Sequence, residues 1–188
     1  MTRPLLHPLR VAAVGICVCA APATAQEQAS APTDTTLAAR CQGPEHRQLD
    51  FWLGSWEVRD SADELLGHNV ITRVSGGCAL LENWSGAAGG SGVSINTYDA
   101  SLGRWSQRWV GAGATLWLEG GMDGGAMVLA GTAPRATPRG SVLDRITWTP
   151  LPDGRVRQVW DISSDDGGTW VRSFAGYYVR RAPAPSGD

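Results

Sequence analysis

From Ser55 onward the chain alternates apolar and polar positions in short runs broken by Gly, Asp, Asn and Pro, the period-two pattern of strands with one face buried. The runs predict strands near 55–60, 69–74, 78–85, 93–98, 104–111, 114–119, 126–131, 141–149, 155–162 and 169–180. Asp123-Gly124, Asp153-Gly154 and Asp166-Gly167 supply residues that tolerate positive φ in tight hairpins. About ten meandering strands with almost no helix predict an all-β fold, a single antiparallel up-and-down β-barrel rather than a sandwich. Ahead of them, Pro44 suits a first helical position and Leu49, Trp52 and Leu53 share one face. A short N-terminal helical plug between Pro44 and Leu53 is expected to close one end of the barrel. The stretch Gly86 to Gly92 reads as a flexible loop at the mouth, since no P-loop lysine or helix follows it.

Strand parity sorts the side chains. Trp105, Gln107 and Trp109 oppose the arginines of their strand and should face inward, as should Leu80, Glu82 and Trp84. In the next-to-last strand Val156, Gln158, Trp160 and Ile162 point in, and in the last Trp170, Arg172, Phe174 and Tyr178 share a face. Strand 93–98 leaves two choices, because Ser94, Asn96 and Tyr98 compete with Val93, Ile95 and Thr97 for the interior. An interior of this kind is aromatic yet carries polar groups that each need a partner, at about 1–3 kcal/mol if left unsatisfied. Either Glu82 pairs with Arg172 in a filled core, or the polar groups read a ligand in a cavity. The candidate ligand-binding residues are Glu82, Trp84, Asn96, Tyr98, Gln107, Trp109, Gln158, Trp160 and Arg172.

The first segment does not belong to the fold. Arg3 and Arg10 precede the apolar run Val11 to Ala21, and Ala23-Thr24-Ala25 forms an A-x-A site, so residues 1–25 read as a signal peptide. The mature protein is expected to be exported, periplasmic or extracellular, with no membrane-spanning helix, and neither Cys17 nor Cys19 has the context of a lipid-acceptor cysteine. Residues 26–40 read as a disordered linker, 41–181 as the barrel domain and 182–188 as a disordered tail. Cys41 and Cys78 outlast leader cleavage, and in an oxidising compartment a single disulfide is the economical outcome. All 16 basic residues are Arg, against 18 Asp and Glu, and no basic cluster exceeds Arg180-Arg181. A nucleic-acid partner is therefore disfavoured.

The string from His46 to Val58, His-Arg-Gln-Leu-Asp-Phe-Trp-Leu-Gly-Ser-Trp-Glu-Val, resembles the opening of an uncharacterised family of exported calycin-like, or lipocalin-like, β-barrel proteins of unknown function. Further matches are Gly77-Cys78 leading to Glu82-Asn83-Trp84, then Ser94 to Asp99, Trp105 to Val110, and Asp166 to Trp170, so the resemblance spans roughly residues 41 to 181. It implies a barrel whose first-strand Gly-x-Trp packs the Trp at the closed end under an Arg, here Trp56 beside Trp52 with Arg180 or Arg172 as the cation. Nitrobindin-type haem proteins share the Gly-x-Trp flavour but need an axial histidine in the later strands. His46 and His68 both come early and read as surface residues, so no haem, metal or other cofactor is expected.

Three functions compete. The leading one is a non-enzymatic binder of a small, partly apolar molecule. A carbohydrate module would need two or three exposed Trp faces. A carboxylate-dependent hydrolase would need two inward acids about 5–9.5 Å apart, and Glu82 with Asp144 are the candidates. No Ser-His-Asp or Cys-His set can be assembled.

Overall fold

The computed structural model describes residues 41–111 and 113–181; the leader, linker and tail expected over 1–25, 26–40 and 182–188 lie outside them. Two short 3-10 turns, Pro44–Arg47 and Asp50–Trp52, precede the strands β1 Gly54–Arg59, β2 Leu65–Val74, β3 Ala79–Gly86, β4 Ser91–Asp99, β5 Arg104–Gly111 and β6 Ala114–Asp123. The remainder are β7 Ala126–Gly131, β8 Arg135–Thr137, β9 Gly140–Pro150, β10 Val156–Ser163 and β11 Val171–Arg180. Each wall strand pairs antiparallel with its neighbours, and ten of them close into a barrel because β1 pairs with β11 and β9 with β10. The ten wall strands are the ten that the alternation predicts. The three-residue β8 stands outside the ring, paired only with the start of β9, and is too short to leave a periodic signal.

Local chemistry explains the closure. Gly124 and Gly154 take φ of 54° and 82°, which the tight β6–β7 and β9–β10 hairpins require. Full closure removes the sheet edges that an open ten-stranded sheet would expose. A barrel of this size is wider than the eight-stranded kind whose interior side chains just fill, so its two halves need different contents.

The lower half is filled. Leu49, Trp52, Trp56, Val58, Ile71, Leu80, Trp105 and Leu118 are buried in one apolar cluster. The segment 44–53 plugs this end: Trp52 packs 5.2 Å from Trp148 and 6.3 Å from Tyr178, and Trp105 donates its indole N–H to Gln48 at 3.0 Å. Trp56 donates to the Trp52 carbonyl at 2.9 Å, while the Arg180 guanidinium lies 4.4 Å from the Trp56 ring centroid and reaches the Leu53 carbonyl. Arg73 ties the plug to the wall through Asp50 and the His46 carbonyl, and a Cys41–Cys78 disulfide joins the same two parts. His46 is not the surface residue the sequence predicts; it is buried, edge-on to Tyr98 at 5.3 Å, because the plug's first turn, which carries it, packs against β4.

Candidate ligand-binding cavity

Above the plugged half the interior opens into a lumen of about 200 Å³. Glu82, Gln107, Gln158, Trp148 and Tyr178 line its inner part, together with Leu116 and Ile146, and Trp84, Trp109, Trp160 and Phe174 line it toward the mouth. These last three tryptophans also line a second recess of about 340 Å³, bounded by Gly89, Gly90 and Ser91 of the β3–β4 turn, by Gly111 and Gly113, and by Arg135. The tryptophan ring thus separates an outer vestibule from the lumen. The stretch 86–92 is a hairpin turn at this end, closed by Gly86 N–H donating to the Gly90 carbonyl.

Glycines on neighbouring strands make room for the rings. A Cβ on Gly92 would run into the six-membered ring of Trp109, and one on Gly67 would sit 2.6 Å from Trp84 Cη2. Trp109 and Trp84 therefore lie along the wall rather than across the lumen. Trp84 and Phe174 meet edge to face, with centroids 6.4 Å apart and planes at 82°, a favoured aromatic geometry.

The polar groups form one connected chain. Asn69 Nδ2 donates to Glu82 Oε1 at 2.7 Å and to the Tyr178 hydroxyl at 3.1 Å, and that hydroxyl donates to Gln158 Oε1 at 2.5 Å. On the other side Ser94 Oγ donates to Glu82 Oε2 at 2.6 Å, Asn96 Nδ2 donates to Ser94, and Gln107 Nε2 donates to Asn96 Oδ1. Burial pushes the Glu82 carboxyl up to about 7, against the opposing pull of the Ser94 and Asn69 hydrogen bonds. Burial also drives the Tyr178 hydroxyl well above its ordinary value, with the nearby Glu82 charge adding to it. A second buried acid, Asp144, is fully engaged elsewhere: Arg135 holds both its oxygens at 2.7 and 2.8 Å, and Trp160 Nε1 donates to it at 2.9 Å. Glu82 is the one carboxyl among the residues lining the lumen.

Seven of the nine candidate residues fall in or beside this chain and its aromatic ring. Glu82, Trp84, Gln107, Trp109, Gln158 and Trp160 line the lumen, and Asn96 lies fully buried behind it, holding Gln107 and Ser94. The choice in β4 is settled for Ser94, Asn96 and Tyr98, since Val93 and Ile95 are exposed. Tyr98, however, packs near the plug against His46 and Trp105 and is not a lumen residue.

Arg172 corrects the sequence reading. Trp160 pairs with Phe174 but Asp161 pairs with Arg172, which leaves Ser173 as an extra residue in β11. Such a bulge reverses parity on one side of it. Phe174 and Tyr178 keep the inward direction, whereas Arg172 turns outward, half-exposed, and bonds Asp161 at 3.3 Å beside Arg145. Trp170 follows it, lying under the Arg145 guanidinium at 3.9 Å. No Glu82–Arg172 pair exists, and Arg180 rather than Arg172 covers Trp56.

Sequence parity missed Asn69 and Ser94 as partners of Glu82, Tyr178 as the partner of Asn69, and Arg135 as the partner of Asp144. Tyr178 shows the correct face in its own strand; what the sequence lacks is the register that brings it to Asn69. Trp148 and Ile146 could have been found by extending the alternation through Asp144 along β9.

No protein-family model matches this chain, and comparison with curated proteins likewise finds no match. The closed ten-strand antiparallel barrel is consistent with the calycin-like architecture that the motif resemblance implies, and the resemblance extends to fold alone.

Proposed function

We propose that this protein is an exported, non-enzymatic barrel that holds a small, partly apolar molecule in its lumen. The observation that carries the reading is a lumen of about 200 Å³ walled by aromatic rings and ending on a few convergent polar groups, the usual anatomy of a small-molecule site. Export is supported by the leader-like residues 1–25 and by the disulfide, a bond that persists in oxidising compartments.

The competing functions draw less support. Of the nine tryptophans, Trp117 alone is exposed, so ring faces are not arrayed in an open groove for sugar stacking. Hydrolysis by paired carboxylates loses its second acid, because Asp144 is bound up with Arg135 and Trp160. Native mass spectrometry of protein purified from an exporting host, followed by tryptophan-emission titration with small apolar and amphipathic compounds, tests the reading. A discrete mass lost on denaturation, or a saturable emission change, is expected. An apo mass together with unresponsive emission across the compounds would overturn it.

A further inference from the structure

We infer that the lumen takes a compact organic cation, a protonated amine or quaternary alkylammonium, with its charge against the Glu82 carboxyl and its alkyl groups among Trp84, Trp109, Trp160 and Phe174. This rests on the reading of the lumen as a ligand site and names the class of ligand.

A carboxyl that is 4% exposed normally carries a cationic partner, because an unpaired buried charge is costly. Glu82 instead has only neutral donors, one on each oxygen: Asn69 and Ser94. Each carboxylate oxygen accepts two hydrogen bonds, so both retain capacity. None of the residues lining the lumen is cationic. The nearest arginine at the mouth, Arg135, lines the vestibule and is committed to Asp144. The site therefore has an acceptor for positive charge and no group of its own to supply it.

The walls point the same way. Aromatic rings attract a cation through their negative faces, and several rings around one site are the usual recognition of alkylammonium groups. Trp84 and Phe174 stand perpendicular, which gives the site a corner of two differently oriented rings. A carboxylate or phosphate ligand has nothing here to pair with and would face Glu82. The remaining network holds Glu82 in place, through Asn69 to Tyr178 and Gln158 and through Ser94 to Asn96 and Gln107.

Protonation sharpens the inference. With burial holding Glu82 near 7, a bound cation favours the ionised form and displaces its proton. The groups facing Glu82 are neutral on β2, β4, β5 and β10, namely Asn69, Ser94, Gln107 and Gln158; Tyr178 on β11 stays protonated across the neutral range, and Asp144 on β9 remains paired with β8 Arg135. Cation affinity should therefore rise with pH through the neutral range, while affinity for a neutral ligand should not.

The test compares choline with its uncharged isostere 3,3-dimethylbutan-1-ol by calorimetry or tryptophan emission, at pH 6 and pH 8, on the purified protein. At pH 8 choline should bind about tenfold or more tighter than the alcohol. Its affinity should fall by roughly tenfold at pH 6, because a carboxyl held near 7 is mostly ionised at pH 8 and mostly protonated at pH 6, with the alcohol unchanged. E82Q should remove both the preference and the pH dependence while the alcohol still binds. Equal or tighter binding of the alcohol in the unmodified protein at both pH values would overturn the cation and leave the lumen as an apolar site. Binding of neither probe at millimolar concentration would overturn the cation and count against the lumen as a ligand site. The isostere comparison in the unmodified protein decides the matter even where E82Q fails to fold.

Discussion

At the scale of single residues, Glu82 is where stability and the proposed binding pull apart. Its folded-state carboxyl titrates at about 7 against an ordinary value of 4.5, so the native protein binds the proton more tightly than the unfolded chain does. Its contribution to the stability of the ligand-free protein is therefore greatest below pH 4.5, falls as pH rises toward 7, and levels off above it. E82Q keeps the size and one of the two acceptor oxygens, replaces the other with an N–H donor, and cannot ionise. Urea denaturation should find it close to the parent near pH 4.5 and more stable at pH 8, by on the order of 2–3 kcal/mol. A difference between parent and E82Q that stays constant over that interval would mean the carboxyl is already compensated. Arg172 shows the opposite case, since half-exposed on the outer wall it contributes through an ion pair of the kind worth little.

Among the elements, β8 has an importance out of proportion to its three residues. It carries Arg135 over the mouth, where the guanidinium grips Asp144, and Asp144 in turn fixes the Trp160 indole that helps form the ring between vestibule and lumen. Arg135→Met strands a carboxylate whose side chain is only 4% exposed, and should cost about 3–5 kcal/mol in chemical denaturation. Adding Asp144→Asn removes the charge but leaves an oxygen for Trp160, and the double variant should recover most of the loss. Simple addition of two separate losses would show that the pair is not the source of the effect. The β11 bulge at Ser173 is the other element-level device, because it lets one strand contribute Phe174 and Tyr178 to the lumen while sending Arg172 to the outer face.

For the whole molecule, the disulfide links the plug to the wall across a separation of 37 residues. Closing a loop of that length restricts the unfolded chain, and replacing both cysteines with serine should lower stability by about 3–4 kcal/mol in the chain-entropy picture. Thermal denaturation with and without reductant checks it: the parent should lose a similar amount on reduction, and the double-serine variant should not respond. Much of this architecture is legible along the chain. Alternation of period two is local, so the ten wall strands and most inward aromatic and amide side chains follow from neighbours one or two residues apart, and the plug from the three- and four-residue spacing of Leu49, Trp52 and Leu53. The pairing of Cys41 with Cys78 follows because no third cysteine remains in the barrel domain. Other features were decided only by tertiary structure. Glu82 meets Ser94 and Asn69 at separations of 12 and 13 residues, and Asn69 meets Tyr178 across 109, contacts set by register and ring closure that no local pattern encodes. The bulge reverses parity at a single unpaired residue, the β8 strand is too short to have a period, and His46 is buried only because its turn packs against Tyr98 of β4. Whether the interior is filled or open depends on the volume a ten-strand ring encloses compared with the side chains inside it, a property of the closed barrel and of no segment alone.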